Sequence, residues 1–157
     1  MSEETLFQTI NNILLPTDGS RYSLKAARYA TNLAKITNSK VTVMHVIDLS
    51  LDTTDPVKID DLDEATIEIT EESELKRRAK NVIESTMKFF VDQNVPVRAE
   101  YFLSGKAPET IVETARREGS DLIIMGHKGI SGLRHTLLGS VAERVCRQAP
   151  CPVLVVR

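Results

Sequence analysis

Positive charge, cysteine and long apolar runs are all scarce in this sequence. The 157 residues carry 20 Lys and Arg against 22 Asp and Glu, a net charge of −2, so no global basic field draws the chain to nucleic acid or anionic lipid. No apolar run approaches the roughly 20 residues of a membrane-spanning helix, and the first dozen residues lack the charged-then-apolar layout of a secretory leader. The expected compartment is the cytoplasm. Cysteine is limited to Cys146 and Cys151, and the histidines His45, His127 and His135 stand at no spacing that completes a metal site with them. Both cysteines are expected to be small buried hydrophobes in a reducing compartment. Repeats and low-complexity tracts are absent too, and a chain of this length fits one domain, 1–157, with a proper core.

What is present is an alternation of two hydrophobic periods. The run from Ile10 to Pro16 stops at Pro-Thr-Asp-Gly-Ser and reads as a strand and turn, with Ser20 placed to cap the next helix. Leu24, Ala27, Ala30, Leu33 and Ala34 recur at helical spacing. Val41 to Ile47 is short and β-branched, a second strand. Leu75, Ala79, Val82, Ile83 and Met87 mark a helix face, and Val97 to Leu103 a third strand. A short helix follows Pro108 and ends at Gly119; Leu122 to Met125 is a fourth strand. Val141, Ala142, Val145 and Cys146 form the face of a last helix, and residues 152–156 a fifth strand. Strands alternating with helices imply βαβ units and a mostly parallel sheet covered on both faces.

Residues 48–74 stand apart. They hold eleven of the 22 acidic residues against one base, Lys58, and are expected to form a flexible insertion leading into a helix. Asp60, Asp61, Asp63 and Glu64 lack the spacing and glycine of a calcium loop.

Four of the seven glycines, Gly126, Gly129, Gly132 and Gly139, fall between the fourth strand and the last helix. Ligands of open parallel sheets bind outside the carboxyl ends of the strands, where the topology reverses. Gly126 is expected to let the backbone leave the strand, and Gly129 to take a positive φ. Gly139 and Ser140 stand at a helix start, where free N–H groups and the positive dipole end suit phosphate. The spacing Gly-x2-Gly-x9-Gly-Ser is neither a P-loop nor the dinucleotide Gly-x-Gly-x-x-Gly. Asp18, at the end of the first strand beside the presumed cleft, is expected to serve a ribose hydroxyl or a magnesium ion, the alternative being that it stabilises its own turn. Lys128, Arg134 and His135 either neutralise a polyphosphate or are solvated loop charge. His45 reads as a satisfied histidine near the sheet.

The stretch 126–157, GHKGISGLRHTLLGSVAERVCRQAPCPVLVVR, closely resembles the C-terminal segment of universal stress proteins of the ATP-binding type, and ILLPTDGS (13–20) and VTVMHVID (41–48) resemble their first two strands. The resemblance covers nearly the whole chain and is weakest over 49–95. It implies an open, Rossmann-like five-stranded sheet of order 3-2-1-4-5, ATP as ligand, and a homodimer through the last strand. It further implies that Asp18 contacts the ribose or a phosphate-bound Mg or Mn. Pro16, Thr17 and the Val46 backbone would line an adenine pocket with Met125 beneath, and Gly126, Gly129, Gly139, Ser140 and the amides of Val141 and Ala142 would hold phosphates. His127 and Lys128 depart from the Ser-His pair often found after the first glycine.

Residues 152–156 also form an apolar edge that invites a second copy, so a C2 homodimer is expected from the residues as well. Two functions follow. One is a nucleotide-dependent stress-response regulator, with slow or no hydrolysis because no Walker lysine or evident base is present. The other is an ATPase or phosphotransferase using His127 or His135.

Overall fold

The computed structural model describes residues 9–47, 64–102, 105–130 and 137–157. Its elements are β1 (Asn12–Pro16), α1 (Arg21–Thr37), β2 (Lys40–Val46), α2 (Glu64–Val91), β3 (Val97–Phe102), α3 (Ala107–Arg117), β4 (Leu122–Gly126), α4 (Ser140–Gln148) and β5 (Val153–Val156). The five strands form one parallel sheet of order β3-β2-β1-β4-β5, the order expected.

Side-chain alternation along the strands builds two cores. Ile13, Leu15, Val41, Val43 and Ile124 face α1 and α2, while Leu14, Met44, Ile123 and Met125 face α3 and α4. Right-handed crossovers explain which helices go where. Steps from β1 to β2 to β3 run one way along the sheet and place α1 and α2 on one face; the step from β4 to β5 runs the other way and places α4 on the opposite face. The direction therefore reverses between β1 and β4, opening a crevice at their carboxyl ends.

Close packing fixes the walls of that crevice. α1 starts at Ser20, whose hydroxyl accepts from the Ser23 N–H, and it meets the sheet through Ala26, Ala27, Ala30 and Ala34. Small side chains let the helix sit low. A Cβ at Gly126 would lie 2.8 Å from the backbone carbon of Tyr22 and 3.0 Å from the Ser23 nitrogen, so only glycine lets the first turn of α1 rest on the end of β4.

Two expectations need correction. α2 begins at Glu64, well inside the stretch read as a flexible insertion. The acids from 64 to 74 are all glutamate, a good helix former whose charge favours a helix's positive end, so an acid-rich composition did not exclude a helix. Residues 48–63, with Asp60, Asp61 and Asp63, lie outside the described residues, as do Gly132, Arg134 and His135. The cysteines are not both buried: Cys146 is exposed and Cys151 half-buried. Only Ala142 and Val145 of α4 are fully buried, and Cys146, one residue on, turns about 100° away from them.

Gly126→Ala should lower stability by about 1–3 kcal/mol, as overpacking against backbone does, read as a lower urea midpoint at unchanged m. In timed alkylation, Cys146 should react ahead of Cys151. Burial, with the nearby Asp121 charge, pushes the Cys151 thiol above its ordinary pKa, leaving less reactive thiolate at any given pH.

Candidate functional site

The crevice is a cavity of about 1060 Å³, walled by the ends of β1, β2 and β4, by α2, and by the starts of α3 and α4. A second cavity of about 220 Å³ lies at the opposite, amino end of the sheet, beside an ion pair between Arg98 and Glu118. The larger is of a size to enclose a whole small ligand. Pro16, Thr17, Asp18, Val46, Met125, Gly126, Gly129, Gly139, Ser140, Val141 and Ala142 all line it. Residues chosen from three separate stretches of sequence thus share one cavity.

The start of α4 supplies donors. Gly139 is the N-cap, and its carbonyl accepts from the Glu143 N–H at 2.9 Å. Its own N–H donates to the His127 carbonyl at 2.7 Å, so Gly139 closes the loop and is no free donor. A Cβ there would lie 3.1 Å from the His127 oxygen and 3.3 Å from the Lys128 Cα, so glycine at 139 answers to the loop backbone. The amides of Ser140, Val141 and Ala142 have no acceptor among the described residues. Such first-turn amides, at the helix's positive end, are suited to an anion.

Asp18, just past the end of β1, lines the same cavity. Its Oδ1 accepts from the Ser20 N–H and its Oδ2 from the Ile130 N–H, each at 2.9 Å. The carboxylate therefore stabilises its own turn and ties that turn to the glycine loop, with lone pairs left for a ligand. Gly129 is not among the residues with positive φ, against expectation. A Cβ there would lie 2.6 Å from Asp18 Oδ2, so a side chain at 129 displaces the Asp18 carboxylate.

Thr17 turns its hydroxyl inward. Its Oγ1 lies 3.1 Å from both Ser23 Oγ and Thr86 Oγ1, and the Gly19 N–H donates to it at 3.3 Å. Ser23 donates to the Ser20 carbonyl and Thr86 to the Val82 carbonyl. Thr17, Ser23 and Thr86 are all buried, so this chain of hydroxyls anchors the Asp18 turn to α1 and α2. The Thr17 carbonyl, which can only accept, lies 2.7 Å from His45 Nδ1; that nitrogen carries the proton. His45 is satisfied, as expected, and lines the cavity as well. His127 donates through both its main-chain N–H and Nδ1 to the Val156 carbonyl, at 2.8 and 3.2 Å, and sets its ring edge-on to Tyr22. A hydrogen bond from the Arg21 guanidinium, aided by its charge and those of Lys128 and Lys25, holds the Tyr22 phenol below its ordinary pKa.

Among the described residues no three His, Cys, Asp or Glu side chains gather as a metal site. Asp18 is the one carboxylate on the described cavity wall. These residues fit a hard cation only if a ligand's own phosphate oxygens complete its shell.

The family model for the universal stress protein family matches residues 9–157. The chain belongs to that family. It is 39% identical to a universal stress protein of Methanocaldococcus jannaschii over 92% of this chain and 81% of that one. The solved structure of hypothetical protein MJ0577 superposes with a TM-score of 0.74 at 32% identity, covering 95% of this chain and 96% of the other. Two further universal stress proteins share the fold. One, in complex with cAMP, has a TM-score of 0.66 at 21% identity over 96% of this chain and 98% of its own. The other, from Archaeoglobus fulgidus and in complex with dAMP, has a TM-score of 0.64 at 18% identity over 96% and 100%.

The cavity also contains residues that the motifs did not point to: Arg78, Asn81 and Val82 of α2, the α3 start at Lys106, Ala107 and Pro108, and Arg144. A signal existed for α3. It follows the carboxyl end of β3, and the rule that places the glycine loop at the crevice places every βα turn there.

Thr86→Val removes one buried hydroxyl while keeping the shape, and should cost about 1–2 kcal/mol in a urea titration, the range for leaving a buried polar partner short of a hydrogen bond. Thr86→Ser should recover most of it.

Proposed function

We propose that this chain binds ATP in the large cavity and acts as a cytoplasmic, single-domain regulator whose nucleotide occupancy alters its shape or partners, with slow or no hydrolysis. The observation that carries the reading is the set of three unaccepted amides at Ser140, Val141 and Ala142, opening on the cavity that Asp18 also lines. Phosphates would take these amides and the Ser140 hydroxyl. Asp18 would hold the ribose or share a phosphate-bound Mg or Mn, and the apolar ends at Pro16, Val46 and Met125 would receive the adenine. Family members complexed with cAMP and dAMP support an adenine nucleotide as the class of ligand.

Binding is better provided for than turnover. His45 and His127 each commit Nδ1 to a main-chain carbonyl, an anchoring role. Asp18 already accepts from two amides. No other carboxylate on the described wall is placed to activate water.

The homodimer would form through residues 152–156. β5 ends the sheet order, and Leu154 on it is 38% exposed, leaving backbone groups for a second copy. No helix among the described residues is long and apolar enough to cross a membrane.

Calorimetry with ATP should show saturable binding to the wild type. Gly129→Ala, which pushes a methyl into Asp18, should weaken it at least about tenfold, a loss of about 1.4 kcal/mol. Phosphate release should stay below about one per second, under the usual enzyme range. Unchanged affinity in the variant would remove the site assignment, and fast sustained release would favour the enzyme reading.

A further inference from the structure

The wall of the large cavity carries a charge opposite to that of the whole chain. Its described lining holds four basic side chains, Arg78, Lys106, Lys128 and Arg144, and one carboxylate, Asp18, in a protein of net charge −2. The four are not equivalent. Arg78 shares the Glu74 carboxylate with Arg77, and Arg144 lies 3.4 Å from Glu109. Lys106 and Lys128 have no ion-pair partner among the described residues.

Lys106 stands where local helix chemistry argues against it. It is the N-cap of α3, a position favoured by Ser, Thr, Asp or Asn, and its side chain makes no capping bond. A cation there also opposes the positive end of the helix dipole. Its backbone is nevertheless firmly set. Gly105 turns the chain at φ 127°, and the Lys106 carbonyl accepts from both the N–H and the Oγ1 of Thr110, at 3.1 and 3.0 Å. A residue that breaks a local rule on the wall of a cavity points to a ligand that resolves the conflict. An anion between the α3 and α4 starts would do so, turning two repelling positive ends into two attractive ones.

We infer that Lys106 is a specificity-determining residue that selects nucleotides by phosphate number, favouring ATP and ADP over AMP and cyclic monophosphate. The inference rests on the adenine-nucleotide reading above. The amides of α4 serve any phosphate group equally. The exposed ammonium on α3 rewards the additional charge of a polyphosphate, and a monophosphate held at α4 has little left to offer it. Lys128, on the glycine loop, adds to the same field.

The test is calorimetric titration of wild type, Lys106→Gln and Lys106→Arg with ATP, ADP and AMP at low and physiological salt. Lys106→Gln should weaken ATP about fivefold, the upper range for an exposed charge pair, and AMP about twofold or less. Raising the salt should shrink the difference, since screening shortens from about 30 Å to about 8 Å. Lys106→Arg should retain the preference. Thermal melts should show Lys106→Gln at least as stable as wild type without ligand, because a cation is removed from a helix start. Wild-type ATP binding with an equal loss, or none, across the three nucleotides would overturn the role of Lys106 alone. Failure of the wild type to bind ATP would overturn the nucleotide reading and this inference together.

Discussion

Three peptide N–H groups at the start of α4 have no carbonyl inside their own helix to bond, and the surrounding chain is arranged so that they open on a cavity. The arrangement begins with the direction of the sheet. Because the order runs β3-β2-β1-β4-β5, the crossovers part at β1 and β4, and a crevice opens at the ends of those two strands. The glycine loop then closes on itself through the bond from Gly139 to the His127 carbonyl, which sets the first turn of α4 at the edge of that gap. A donor left unpaired inside a protein is costly. Here the donors border a cavity, where water or an anion can reach them.

Asp18 is the other half of the arrangement. One carboxylate holds the Ser20 amide of its own turn and the Ile130 amide of the glycine loop, so it ties together two segments more than 100 residues apart in sequence. Behind it, the buried hydroxyls of Thr17, Ser23 and Thr86 bind the same turn to α1 and α2. The two readings of Asp18, turn former and ligand group, are compatible: a carboxylate that accepts two amides still has lone pairs to offer, and Asp18 lines the cavity.

Charge is distributed unevenly around this frame. Acidic residues gather in 48–74, while basic ones line the described cavity wall. An overall charge near zero therefore conceals a local positive field. On the nucleotide reading, that field would bear on which anion is held, and the amides on whether one is held at all.

The alternation of strands and helices was legible in the sequence because apolar period and turn chemistry are local properties. The Gly-Ser step after the fourth strand and the Asp after the first were legible for the same reason, since each sits where its own flanking residues place a strand end. Other features required the tertiary structure. Gly129 lies against the Asp18 carboxylate, and Gly126 is required by its approach to the backbone of Tyr22, contacts between distant residues that no local pattern encodes. The exposure of Cys146 depended on how α4 is rotated against the sheet. The sequence by itself determined the order of elements and the chemistry at each strand's end. Only the folded sheet decided which of those ends meet, because a parallel topology brings together groups that the chain holds far apart.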